Sequence, residues 1–353
     1  MKYSILFVIL LFHVLFCKGQ TQDSVQMNYT VCLDSLKTLV EANGSFKKAV
    51  FLTENCYLDN GMQYEHFERH ISQLVSVIKA WQLANPLLNY HLADSTNFEA
   101  NYSIFKFLKD TTRVISSGQK TFYLMPYTYD FVDFFGQQNW STMFVTKLLS
   151  THNGNCHSLP YLYKILADEF GAICWLALAP NHIYISNRCK KIGWYNTELT
   201  SGSFPIDAWI MASGYLPLQA VQNGIYMDTL SNQQSIALCI LDLAKGYEHK
   251  VHNYHDGFIL KCCDISLQYF PLNVQAMLLK AETLKRIYEK EKVQKATVAK
   301  EIYHQMEQLY VKLFDLGYRE MPNKMYQQWL VSVVKERDKY SNKQVLEFVP
   351  GKY

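Results

Sequence analysis

A cysteine, a histidine and an acid are spaced in this chain as a nucleophile, its base and the group that orients the base. Cys156 lies in a Gly154-Asn155-Cys156 turn just ahead of an amphipathic stretch. His182 follows 26 residues later at the start of a strand-like run, and Glu198 lies 16 residues beyond it on the next such run. A thiol at neutral pH is mostly protonated, and the free N–H groups and dipole of a helix N-terminus lower its pKa. A histidine in reach takes the thiol proton. An acid or amide behind that histidine fixes its tautomer. Asn196 is the alternative third member. The Cys156 N–H is a candidate oxyanion donor, with Gln137, Gln138 and Trp140 as upstream candidates for a second. Each residue alone has a plainer reading: a buried or disulfide-bonded cysteine, a satisfied histidine, a solvated strand acid. Their order, each on the right element, favours the triad. His157 also flanks the cysteine, but a helix start points it away from the thiol, and His152 has no better claim.

The positioning elements read as follows. Ser141 caps a helix running to Leu149. A second helix spans about Cys156 to Phe170 and buries Leu159, Leu162, Ile165 and Leu166. Pro160 is tolerated only near its first turn, and Gly171 fits the position just past its end. Residues 173 to 179 form an apolar strand, Pro180-Asn181 a turn or bulge, and residues 182 to 185 and 194 to 199 two further strands. Pairing centred on residue 190 would set His182 opposite Glu198, Tyr184 opposite Asn196 and Ser186 opposite Trp194. All six side chains would then share one face of the sheet. The aromatic segment 202 to 211 either lines the cleft beside Glu198 or packs over the sheet, with Tyr215, Tyr226 and Asp228 nearby.

Gly154-Asn155-Cys156 with its helix, Asn181-His182-Ile183-Tyr184-Ile185, and Gly193-Trp194-Tyr195-Asn196-Thr197-Glu198-Leu199-Thr200 together resemble the transglutaminase-like core. In that family the cysteine heads a helix, the histidine opens a strand, and the acid sits in a Gly-Trp-x-x-x-Asp-x-Thr stretch. Glu198 falls on the aspartate position and Thr200 on the threonine. Glu in place of Asp lengthens the arm by one methylene, and Tyr184 stands where many members carry Trp. The resemblance is to the bacterial branch in which this core precedes tetratricopeptide-like repeats. Leu243, Gly246-Tyr247, Ser266-Leu267 and Pro271 resemble one degenerate repeat of that kind, and a generic helical tail is the alternative. The resemblance implies an α+β fold: a papain/transglutaminase-like core, its Cys-bearing helix packed on an antiparallel sheet, flanked by N-terminal and C-terminal helical regions. It also implies Cys156, His182 and Glu198 as catalytic residues, with Asn196, Trp194, Tyr184 and Asn155 lining the site.

The 353-residue chain is 49% hydrophobic, enough for substantial cores, and suggests two or three domains. Lys2 followed by the apolar run 4 to 16 reads as a signal peptide cut before Gln20, with an uncleaved anchor as the alternative. Losing Lys2 and Lys18 takes the net charge from +3 to +1. That balance, without a basic stripe, argues against nucleic acid as a partner. The 25 Tyr and 20 Phe are more often core and interface material than a ligand cage. Eight cysteines remain of nine once Cys17 is removed, and Cys32–Cys56 is a plausible bridge in an exported chain. No paired ligand spacing suggests a metal, and no cofactor motif is seen.

The expected organisation is therefore a signal peptide (1–20), an N-terminal helical region (21–118), the transglutaminase-like core (119–230) and a tetratricopeptide-like helical region (231–353). The expected function is an exported, periplasmic or extracellular, cysteine-dependent acyl-transfer enzyme acting on peptide or protein amides. Water as acceptor makes it an amidase or peptidase, and an amine makes it a transglutaminase. The alternative is a non-catalytic interaction scaffold whose helical tail binds a protein partner. No membrane span is expected after signal removal.

Overall fold

Where the sequence puts turn residues between helical repeats of apolar side chains, helices form. The computed structural model describes residues 24–87, 89–115, 119–292 and 296–348. The expected signal peptide lies outside the described residues. Four helices come first: α1 (24–41), α2 (Phe46–Tyr57), α3 (Tyr64–Ala84) and α4 (Ser95–Lys109). The turn signal at Asn43-Gly44-Ser45 separates α1 from α2. Asn43 takes a positive φ of 48°, and the Ser45 side chain accepts the Lys48 N–H at 3.2 Å as an N-cap. Phe67, Ile71, Val75 and Ile78 recur at helical spacing and form the buried face of α3.

The helical run ends before residue 118. Thr112–Ile115 (β1) pairs antiparallel with Thr121–Leu124 (β2). Both segments are rich in β-branched and aromatic residues, which favour a hairpin over a helix. Thr128–Tyr129 (β3) pairs in parallel with Asn153–Gly154 (β4), aligning Tyr129 with Gly154.

The helix expected from Ser141 is divided. Residues Trp140–Met143 form a single 3-10 turn capped by Asn139, and α5 runs from Val145 to Thr151. The cap of α5 comes from 91 residues away: the Glu54 carboxylate on α2 accepts the Val145 N–H at 2.7 Å and the Thr146 N–H at 2.9 Å. Burial pushes the Glu54 carboxyl up to about 7, against the pull of these N–H donors.

Helix α6 (Ser158–Phe170) ends at Gly171, which takes the left-handed conformation at φ 73°. It packs on a three-stranded antiparallel sheet of β5 (Trp175–Ala179), β6 (His182–Cys189) and β7 (Gly193–Thr197), in that order. Pro180 and Asn181 make the two-residue turn between β5 and β6, and Asn181 adopts φ 55°. After the short helices α7 (Asp207–Ser213) and α8 (Leu218–Gln222) come α9 (Asn232–Val251), α10 (Phe258–Tyr269), α11 (Val274–Glu291) and α12 (Ala296–Asp315), each packed on the next. Helix α2 also packs on α9. Helices α13 (Asn323–Lys335) and α14 (Lys343–Leu346) complete the described chain. The fold is α+β.

The expected Cys32–Cys56 bridge is not formed. All eight described cysteines are buried free thiols, and Cys32 donates to the Leu52 carbonyl at 3.4 Å. Among the described residues no helix is long and apolar enough to cross a membrane.

Gly154 is held without a side chain for a steric reason. A Cβ there would run into the Ser158 hydroxyl and meet Leu148 Cδ1 at 2.9 Å. Ser158 is fully buried and accepts the Asn155 N–H at 3.0 Å, so it has nowhere to go. Gly154→Ala is therefore expected to destabilise the protein by about 1–3 kcal/mol. Thermal melting would show the loss, and an unchanged melting temperature would show that the turn carrying Cys156 yields freely.

Candidate active site

The turn that carries Cys156 is built by Asn155. Its buried side-chain oxygen accepts the His157 and Ser158 N–H groups at 3.0 and 3.1 Å, and its amide donates to the Phe134 carbonyl at 3.0 Å. Asn155 thus caps the start of α6, which begins two residues after Cys156 rather than at it. His182 opens β6 as expected. Its Nε2 meets Glu198 Oε2 at 2.5 Å, and both side chains are almost fully buried. A carboxylate accepts, so Nε2 carries the proton and Nδ1 is left towards the sulfur. Cys156 Sγ lies 3.2 Å from the Tyr326 hydroxyl and donates to the Asn181 carbonyl at 3.6 Å. Nδ1 of His182 is buried without a hydrogen-bond partner of good geometry. The thiol and Nδ1 are therefore neighbours rather than bonded partners.

The hairpin register corrects the expectation. Strands β6 and β7 pair Ile185 with Thr197, Ser186 with Asn196 and Arg188 with Trp194, so the hairpin centres on residue 191, not 190. The shift moves each partner by two residues. It preserves the face on which His182, Tyr184, Asn196 and Glu198 lie, but sets Glu198 beyond the last pair and diagonal to His182. The extra methylene of Glu spans that diagonal step. The backbone of Glu198 pairs with Ser203 at 2.9 and 3.0 Å, and its Oε1 accepts the Thr200 N–H at 2.7 Å.

Two expected site residues are not brought to the triad. Asn196 donates to Asp207 Oδ1 at 2.6 Å and to the Pro205 carbonyl at 3.2 Å, so it braces the following loop instead of His182. Trp194 is half exposed and packs between Trp175 and the Arg188 guanidinium. Tyr184 is fully buried, its ring stacked 6.5 Å from that of His182. His157 has both nitrogens engaged, with Met143 O at 2.9 Å and Asp242 Oδ2 at 3.0 Å, as its position at the helix start implied. His152 contacts Met125 O at 3.0 Å. Gln137 and Gln138 are exposed, whereas Trp140 lines a cavity shared with Cys156.

Burial acts against every charge here, and the charges offset it mutually. Burial would raise the Cys156 thiol; the close approach and charge of His182 outweigh it, and the net direction is down. Burial would lower His182; the Glu198 carboxylate outweighs it and carries His182 up to about 10. Burial would raise Glu198, but the His182 charge holds it below the usual carboxylate range. A thiolate–imidazolium pair braced by a carboxylate is the state these shifts favour.

No protein-family model, curated protein or solved structure matches the chain.

Sequence reading missed the residues that cover the thiol. Tyr326 and Trp329 project from α13, 170 and more residues downstream of Cys156. The Trp329 ring stands edge-on to His182 at 4.6 Å, and Tyr326 stacks on Phe135 at 4.9 Å. Tyr129 adds a hydroxyl 3.5 Å from that of Tyr326. Helix α13 is tied down at both ends: Asn181 donates to Met321 O at 3.3 Å, Ile206 N–H to Tyr340 O at 3.1 Å, and Asn342 N–H to Phe204 O at 2.7 Å. The segment 202 to 211 thus anchors the cover, with Trp209 stacked 6.4 Å from Trp329. Cys156 is left 7% exposed. Only the amphipathic spacing of Tyr326, Trp329, Leu330 and Val333 hinted at a buried face, and nothing local showed what it would bury.

Two outcomes follow from this geometry. Tyr326→Ala should speed iodoacetamide labelling of Cys156 by uncovering it, while Tyr326→Phe should raise the labelling pKa by removing a hydroxyl donor to the thiolate. Unchanged profiles in both would remove Tyr326 from the site. The stability effect of the pair has a definite sign. The His182 contribution is fully present below the ordinary histidine value of 6.5 and is lost as pH rises through about 10. The Glu198 contribution is present above the ordinary 4.5 and is lost as pH falls through its depressed value. The stability gap between wild type and Glu198→Gln should therefore be widest between those ordinary values and narrow towards pH 10. Denaturant melts across that range would show a flat gap if the pair were not ionised.

Proposed function

We propose that the chain is an exported cysteine-dependent acyl-transfer enzyme acting on amide bonds. Cys156 is the nucleophile, His182 the base and then the acid, and Glu198 the group that orients His182. The observation that carries this reading is the 2.5 Å contact between His182 Nε2 and Glu198 Oε2, with the other face of the imidazole turned to a thiol of lowered pKa. The papain/transglutaminase-like arrangement is part of the proposal. It is supported by a cysteine ahead of a helix packed on an antiparallel sheet that carries the histidine and the acid.

In the reaction, the thiolate attacks the amide carbonyl and forms a C–S bond. His182 gives its proton to the departing amine as the C–N bond breaks. Water or a second amine, deprotonated by His182, then displaces the thiol from the thioester. Water makes the protein an amidase or peptidase, the outcome proposed for an exported protein, and an amine makes it a transglutaminase.

The competing reading is a non-catalytic scaffold whose helical tail binds a protein. One observation favours it: the thiol lies under Tyr326. The two readings separate on the alkylation rate of Cys156 against pH. An enzyme labels fast below pH 7 and loses that reactivity by about tenfold or more in His182→Ala. An ordinary thiol profile, unchanged in the variant, would establish the scaffold.

A further inference from the structure

Cys156 and His182 line a cavity of about 220 Å³ that residues of α9 also line. Leu238, Leu241, Asp242 and Lys245 fall at positions i, i+3, i+4 and i+7, so they share one face of that helix. The lining is otherwise largely apolar, with Phe135, Leu178 and Val274 among its members. Its charged groups are not equivalent. Asp242 is engaged on one oxygen by His157 at 3.0 Å and by the Tyr161 hydroxyl at 2.9 Å. The Asp242 carboxylate outweighs burial to raise His157, which favours an imidazolium there and offsets the Asp242 charge. Lys245 forms no hydrogen bond or salt bridge among the described residues, although Asp242 and Glu248 act on it at longer range. Glu248 in turn accepts the Tyr254 hydroxyl at 3.2 Å. Lys245 thus brings an ammonium with unused donors to the α9 side of the lining, apart from the imidazole of His182, and burial lowers its pKa from the usual lysine value. Tyr226 also lines the cavity, and its buried hydroxyl has no partner.

An apolar cavity lined by both a nucleophile and an unpaired ammonium fits an apolar chain that ends in an anion. We propose that this cavity is the acyl subsite of the enzyme and that Lys245 selects acyl groups with a terminal carboxylate. The substrate class is then an amide whose acyl side is a short aliphatic chain closed by a carboxylate, held by Lys245 while the amide carbonyl meets Cys156. The inference rests on the acyl-transfer reading for the role of the site, but binding in the cavity can be measured without turnover.

The test uses the full-length mature protein and three probes of matched length: adipoyl, hexanoyl and 6-aminohexanoyl 4-nitroanilides. Binding is measured by calorimetry on the Cys156→Ala protein, which cannot form the thioester. The adipoyl probe is expected to bind about tenfold or more tightly than the hexanoyl probe, the gain of a charge-assisted hydrogen bond. Adding Lys245→Met should erase that preference and leave hexanoyl binding in place. Adding Lys245→Glu should transfer it to the aminohexanoyl probe, an outcome that a merely misfolded variant would not give. Equal binding of adipoyl and hexanoyl probes, or binding of neither, would overturn the subsite. Release of 4-nitroaniline by wild type is followed in parallel. Selective binding without any release would overturn the catalytic reading and leave the carboxylate subsite standing.

Discussion

The contact between His182 and Glu198 is the interaction on which the site depends. An imidazole, a thiol and a carboxylate withdrawn from water each lose hydration, and alone each would revert to its neutral form. Together they shift one another towards the charged forms. Breaking such a buried pair from one side leaves an uncompensated ion, which costs about 3–5 kcal/mol. Lys109 supports the arrangement from behind. Its ammonium donates to the carbonyls of Leu199 and Tyr127 at 2.8 and 3.0 Å, and its charge acts on Glu198. Burial draws Lys109 down to about 8, so the same withdrawal from water is felt on both sides of the carboxylate.

This mutual dependence explains why the surrounding backbone is so heavily constrained. A single hairpin carries both the base and the acid, so their separation is set by pairing register and not by the docking of distant elements. The nucleophile arrives on a turn fixed by Asn155, by Ser158 and by the pairing of β3 with β4. That turn leads into a helix lying on the same sheet. Helix α5, which precedes the turn, takes its cap from Glu54 on α2, so a helix far away in the chain determines where the cysteine-bearing segment begins.

What was legible in the sequence follows from distance along the chain. Cys156, His182 and Glu198 sit within 43 residues, on elements whose turns are marked by Gly154, Pro180-Asn181 and Gly193, and local chemistry was enough to single them out as candidates. The hairpin centre was misplaced by one residue because alternation gives the face of each side chain but not its partner. The error was harmless only because the partner shift was even. Asn196 looked equivalent to Glu198 by face, and the choice between them depended on the loop at Pro205 and Asp207, which periodicity does not describe. The Ser141 cap failed because the real acceptor, Glu54, lies in another helix. Tyr326 and Lys245 were invisible for the same reason: each belongs to an ordinary amphipathic helix, and only the packing of that helix brings it to the thiol or its cavity.

The covered thiol and the open cavity need not argue for opposite functions. Tyr326 and Trp329 approach Cys156 and His182 from α13, and neither residue lines the cavity between Cys156 and α9. An acyl group seated in that cavity would leave the amine, and later the attacking water or second amine, to pass on the α13 side. On the proposed reading, the cover would act on the second half of the reaction. It would keep water from the thioester while the aromatic side chains stay in place, as closed sites do when they protect a reactive intermediate. On the proposed reading, the choice between hydrolysis and transfer is made at α13 and not at the triad. A small acceptor passing Tyr326 more readily than a large one would favour water, whereas an acceptor whose own apolar surface displaces Trp329 would favour the amine.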